Sequence, residues 1–182
     1  MQRLFVFLLV ILAACSQSTP ATPMSGMDHS TMPMAHGNEP YDALFIDSMI
    51  VHHEGAVTMA RQALQESQRA EIRQLAEAII ATQEAEIAQM KAWRQEWYPD
   101  LPPTAGMTME MGPMTVAEGN APFDQRFIEA MIPHHEGAIA MARDALEKAE
   151  HAEIKTLAKA IISAQEAEIA QMREWLRTWF GK

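Results

Sequence analysis

Apolar positions recur at spacings of three and four over two stretches of the chain, the period of an amphipathic helix. In the first stretch Phe45, Met49, His53, Ala56, Ala60 and Ala63 share one face. In the second, Ile72, Leu75, Ala76, Ile79, Ile80, Ile87, Met90, Trp93 and Trp97 do so, up to Pro99. The pattern predicts two helices with a break near residues 67–70, which contain neither Gly nor Pro. Asp42 lies where an N-cap side chain belongs, and Tyr41 before it is placed to staple onto Ile46.

The whole unit then repeats. Residues 41–98 align without gaps on 123–180 at an offset of 82, with 33 of 58 positions identical, and QEAEIAQM occurs twice verbatim. Asp124, Phe123 and Ile128 repeat the cap and staple positions. One hairpin cannot bury its apolar stripe alone, whereas two can pack face to face. The expected fold is therefore all-α: a four-helix bundle built from a duplicated hairpin, with pseudo-two-fold symmetry. Residues 99–122, rich in Pro, Gly and Met, read as an irregular crossover between repeats 41–98 and 123–182.

Several polar residues fall inside the apolar arcs. On the first helix His53 is central, with Met49 one turn earlier. His52 lies at the edge of the arc beside Met59, and Glu54 points outward. Met131, His135, His134, Met141 and Glu136 repeat this arrangement. On the second helix Gln83, Glu86 and Met90 face inward, as do Gln165, Glu168 and Met172. Burying Gln and Glu costs free energy unless something satisfies them. The histidines could satisfy them, the methionines being ordinary core filler, or the histidines could be ligands oriented by the carboxylates. Val51 stands where the second copy has Pro133, which removes one helical hydrogen bond and predicts a local kink. Gly55 and Gly137, each disfavoured in a helix by about 1 kcal/mol relative to Ala, predict a close helix approach or local irregularity beside the histidines.

Composition narrows the partners. A net charge of −10 argues against nucleic acid, whose phosphates call for basic patches. Of 15 methionines, eight lie in the two irregular segments: Met24, Met27, Met32 and Met34, then Met107, Met109, Met111 and Met114. His29 and His36 accompany the first group. Thioethers select soft ions such as Cu(I), and imidazole also suits copper. A mobile chain with M-x-M spacing could wrap Cu(I) or Ag(I) as accessory capture ligands. Calcium and magnesium prefer clustered oxygen ligands, and a structural zinc site would normally use cysteine.

The first 14 residues read as an export signal: Arg3, a short apolar run from Leu4 to Leu12, then Ala13 and Ala14. That run is too short for a permanent span, which needs about 20 residues. LAAC resembles the lipobox of bacterial lipoproteins, which implies lipidation of Cys15, the single cysteine. Residues 15–40 then form a polar, Met/His-rich tether of the disordered type.

FIEAMIPHHEGAIAMA followed by AIISAQEAEIAQMREWL resembles the ferritin-like family catalogued as domain of unknown function 305, which includes CopM-type copper-binding exported proteins. Both copies carry the pattern. The resemblance implies metal ligands at Met49, His52, His53, Met59 and Met90, and at Met131, His134, His135, Met141 and Met172. The expectation is an extracytoplasmic, lipid-anchored protein that sequesters or passes on Cu(I) or Ag(I), without a catalytic step, in contact with other exported copper-handling proteins. The rivals are a metal-free helical interaction module and a di-iron oxidoreductase.

Overall fold

Four helices follow one another along the chain: α1 (Tyr41–Glu66), α2 (Ala70–Trp97), α3 (Phe123–Lys148) and α4 (Ala152–Phe180). They belong to a computed structural model that describes residues 39–107 and 109–182. Cys15, Met24, Met27, His29, Met32, Met34 and His36 lie outside the described residues. No helix among the described residues is long and apolar enough to cross a membrane.

The hairpin turns are three residues each, and both reverse the chain in the same way. Ser67 and Ala149 leave the helical region for extended backbone (ψ 137° and 140°), and their N–H groups close the last turn on Ala63 O and Ala145 O. Extended backbone is open to any residue, which is why neither turn needs Gly or Pro.

Helices α1 and α2 pack as one hairpin, α3 and α4 as the other, and α1 against α3 joins them. The buried apolar residues form two clusters related by the pseudo-dyad. One gathers Phe45, Ile46, Met49, Met90, Met141, Ile154, Leu157 and Ile161. The other gathers Phe127, Ile128, Met131, Met172, Met59, Ile72, Leu75 and Ile79. Each cluster draws on both hairpins. Burying a large apolar side chain stabilises by about 2 kcal/mol, and neither hairpin can gain this without its copy. α3 remains helical through Pro133.

The helix starts correct one expectation. Asp42 and Asp124 are not N-caps of their own helices, which begin at Tyr41 and Phe123 without a capping side chain. Asp42 is instead buried against the opposite hairpin. Its carboxylate accepts hydrogen bonds from the backbone N–H groups of Glu150 and His151 and from His151 Nδ1 (2.6 Å), just before α4. A negative charge is favourable near a helix N-terminus. Asp124 repeats the placement more loosely, pairing with Arg69 Nε at 3.2 Å, just before α2. The local capping rule lost to a tertiary contact.

Residues 99–107 and 109–122 have no regular secondary structure, as the pattern predicts for a crossover, but they are held against the helices. They form a strap across α1 and α3. At its start Arg94 donates to the carbonyls of Tyr98, Leu101 and Pro102 and to Asp47 Oδ1. Asp47 Oδ2 accepts from Thr104 N, and Ser48 Oγ from Met107 N (2.7 Å). At its end Arg126 donates to Ala117 O and Ala121 O, while Val116 is buried in the core.

Candidate metal centre

The inward-facing polar residues form one pair in each hairpin. His53 Nε2 lies 2.8 Å from Glu86 Oε2, and His135 Nε2 lies 2.7 Å from Glu168 Oε2. The histidines are fully buried and the glutamates largely so (13% and 21% exposed). Glu54 and Glu136 face solvent and pair with Lys91 and Arg173. With Nε2–H donated to the carboxylate, each ring is left to present the Nδ1 lone pair. Neither Nδ1 has a hydrogen-bond partner among the described residues. Orphaned buried polar atoms are uncommon in proteins, and the same atom is orphaned in both copies.

Helix geometry places sulfur beside each pair. Met49 lies one turn before His53 on α1, and Met90 one turn after Glu86 on α2. Because the two helices run antiparallel, both turns lead to the same end of the hairpin, and the two methionines share a cluster. The third methionine of that cluster is Met141, from the other hairpin. Met59 correspondingly joins Met131 and Met172. The clusters cross the copy boundaries: Met141 packs with Met49 and Met90, and Met59 with Met131 and Met172, because residues seven beyond the edge histidine reach across the bundle. All six methionines are fully buried.

His52 and His134 are not on a flank. Both are fully buried at the α1–α3 interface, where their rings stack with centroids 3.8 Å apart. His52 has no partner at either ring nitrogen among the described residues. Burial, reinforced by the His134, His53 and His135 imidazoles, lowers the pKa of His52 to about 2. Burial, with His135 next, lowers that of His134 to about 4. Both therefore stay neutral at ordinary pH, the form a metal requires. His134 touches two carbonyls: Pro113 O is 2.8 Å from Nδ1 and His52 O is 3.1 Å from Nε2. A neutral imidazole has one N–H, so only one of these contacts is a hydrogen bond.

Gln83 and Gln165 are buried as expected, but they do not face the methionines. With Glu86 and Glu168 they line a slot of about 10 Å³ between α2 and α4, room for a single water. Each leaves its Oε1 without a partner among the described residues.

The strap methionines were expected to be exposed and mobile. Met107, Met109, Met111 and Met114 are instead partly buried, and Met107 and Met109 pack on the cluster that holds Met49. Gly55 and Gly137 are the reason. A Cβ on Gly137 would come within 2.8 Å of Glu110 O, and one on Gly55 within 2.6 Å of Met114 Cε. The close approach predicted at the two glycines is made by the strap at both positions and, at Gly55, also by His134 of α3, whose Cε1 would lie 3.2 Å from a Cβ there. Gly112, with φ +69°, lets the strap backbone rest on Pro133 and His134.

Among the described residues no three His, Cys, Asp or Glu side chains converge. Any third donor at a His–Glu pair must therefore come from elsewhere, and buried thioethers are the neighbours at hand.

Comparison with known proteins agrees with this architecture. CopM in its Cu(I)-bound form is 37% identical, covers 76% of this chain and 97% of its own, and superposes with a TM-score of 0.66. CopM co-crystallised with silver is 40% identical over 76% of this chain and 97% of its own, TM-score 0.66. A DUF305 protein from Streptomyces coelicolor, whose name proposes that it is secreted, is 28% identical over 75% and 91%, TM-score 0.64. No curated protein matches the sequence. The family model described as domain of unknown function (DUF305) matches twice, over residues 14–94 and 42–176. With both hairpins matched and the four-helix fold shared, the chain belongs to the DUF305 family.

Proposed function

We propose that this protein binds Cu(I) or Ag(I) through buried histidine and methionine, and sequesters the ion or passes it on without chemical transformation. The observation that carries the reading is the orphaned Nδ1 of His53 and of His135, each ring held from behind by a glutamate. A carboxylate in that position fixes the tautomer and raises the basicity of the ligating nitrogen. Sulfur and imidazole donors match a soft monovalent ion. CopM, found with Cu(I), Cu(II) and silver bound, supports copper or silver as the ion. An extracytoplasmic setting follows from the N-terminal signal pattern, and the Streptomyces coelicolor relative's name points the same way. Lipidation at Cys15 would keep the protein on a membrane surface, where it would exchange ions with other exported copper-handling proteins. Met24, Met27, His29, Met32, Met34 and His36 would serve as outer capture ligands.

Competition titration with a Cu(I) chelator tests this. Replacing His53 and His135 by Ala is expected to remove at least one bound equivalent. If a variant lacking all four histidines at 52, 53, 134 and 135 held Cu(I) as tightly as the unaltered protein, the reading would fall.

A further inference from the structure

We propose that the slot between α2 and α4 is a site for one hard divalent cation of the calcium class, held by the amide oxygens of Gln83 and Gln165 and the carboxylates of Glu86 and Glu168. Its ligands are oxygen and it fills in protein free of copper, so it stands apart from the histidine–methionine reading above.

Three observations meet at the slot. First, Gln83 and Gln165 are each 3% exposed, line it together, and leave Oε1 without a partner among the described residues. An orphaned buried acceptor costs free energy, and here the same atom is orphaned in both copies at one place. Second, the other polar walls are acceptors too. Glu86 and Glu168 each give Oε2 to a histidine, and neither pairs with a Lys or Arg among the described residues. Third, little opposite them can donate: Ile79, Ile161 and Ala164 are apolar, and Thr82 contributes a single hydroxyl. Glutamine oxygens thus complete a set in which a third carboxylate is missing.

A single water would fit the space of about 10 Å³ and could donate to the two amide oxygens. Both its hydrogens would then be used, and the carboxylates would gain nothing. A divalent ion answers all four groups at once. Calcium takes carboxylates, amide carbonyls and water as ligands at about 2.3–2.6 Å, shorter than the roughly 2.8 Å of a water hydrogen bond, so a water-sized space admits it. Thr82 is exposed, so solvent waters can reach the slot beside it and complete the coordination. Magnesium sheds water reluctantly and demands near-ideal octahedral geometry, which suits so small a space less well. α1 against α3 joins the hairpins, and the ion would add a second joint, between α2 and α4.

The experiment is isothermal titration calorimetry of Ca²⁺ into the full chain after copper and calcium have been chelated away, with thermal unfolding followed in parallel. The expected result is one Ca²⁺ per chain and a higher unfolding midpoint, since the ion joins the two hairpins only in the folded state. Gln83→Leu combined with Gln165→Leu removes both amide oxygens at similar volume and is expected to weaken binding by about tenfold or more. Unaltered protein that binds no Ca²⁺ would overturn the site. Equal binding by the variant would overturn it too, tracing the affinity to the net charge of −10 alone. Should the variant not fold, the side-chain carbonyl ¹³C resonances of Gln83 and Gln165 in the unaltered protein decide: both move on Ca²⁺ addition, or the proposal fails. A null result with Ca²⁺ leaves the His53 and His135 reading standing, and a null result with Cu(I) leaves this site standing.

Discussion

The two hairpins are nearly the same object in their interiors and in several surface ion pairs, and differ where the strap crosses them. His53–Glu86 and His135–Glu168 match to 0.1 Å, and the surface ion pairs Arg61–Glu84 and Arg143–Glu166 also repeat. The copies diverge where the strap is held. Arg94 has Leu176 as its counterpart, Arg126 has Leu44, Ser48 has Ala130, and Asp47 has Glu129. A single connection cannot obey a two-fold axis, so the residues that grip it occur once. Duplication preserved the interior, and the departures from repetition map the path of the connection.

The sharpest test of this comparison is acid, which acts on the stacked histidines that the two hairpins build jointly. His52 and His134 have folded pKa values lowered to about 2 and about 4 from 6.5. Below 6.5 the unfolded chain takes up protons that the native state refuses. Stability is therefore intact above pH 6.5 and falls as pH drops towards each folded value. At pH 4 the loss is on the order of 3 kcal/mol for each ring. Cooperative unfolding followed by circular dichroism is expected between about pH 5 and pH 4 in metal-free protein. A urea midpoint that did not change from pH 7 to pH 4 would refute the buried neutral pair.

The next test contrasts two equivalent aspartates. Asp42→Ala strands backbone N–H groups and a ring N–H at the start of α4 and is expected to cost about 3 kcal/mol. Asp124→Ala breaks one half-exposed pair with Arg69 and is expected to cost less than about 1 kcal/mol. Chemical denaturation of the two variants side by side would show the gap, and equal losses would mean that the buried carboxylate is not the stronger clamp.

Smallest is the effect of giving one hairpin the other's residue. Arg94→Leu, which copies Leu176, removes the guanidinium that collects three strap carbonyls, at an expected cost of about 2 kcal/mol. Amide exchange over residues 101–107 should accelerate while the helices change little. Unchanged protection there would show that the strap is held by its methionines alone.

Much of this was legible without coordinates, and the residues show where legibility stopped. The helical period alone placed Gln83, Glu86, Gln165 and Glu168 inward, because a two-helix face is a local property. It put His52 and His134 at the edge of an arc, since an isolated wheel shows nothing of the third helix that covers them. Asp42 looked like a cap because capping is judged over four residues, while its partners lie more than 100 positions away. The Met-rich connection read only as an irregular crossover because its fit depends on two glycines in helices on either side. Methionine itself carries little orientation signal, being flexible enough to suit both surface and core. Met59 and Met141 join clusters across the copy boundary for the same reason: only the packing of α1 on α3 decides which cluster each joins.

The strap has a last consequence, in the arithmetic of assembly. A lone hairpin with this interior could bury it only by meeting a second molecule, and such a pair would separate on dilution. Joining the halves turns that encounter into an intramolecular one, at an effective concentration in the millimolar range for a short connection. The shared histidine pair at the dyad therefore forms with a probability that does not depend on how much of the protein is present.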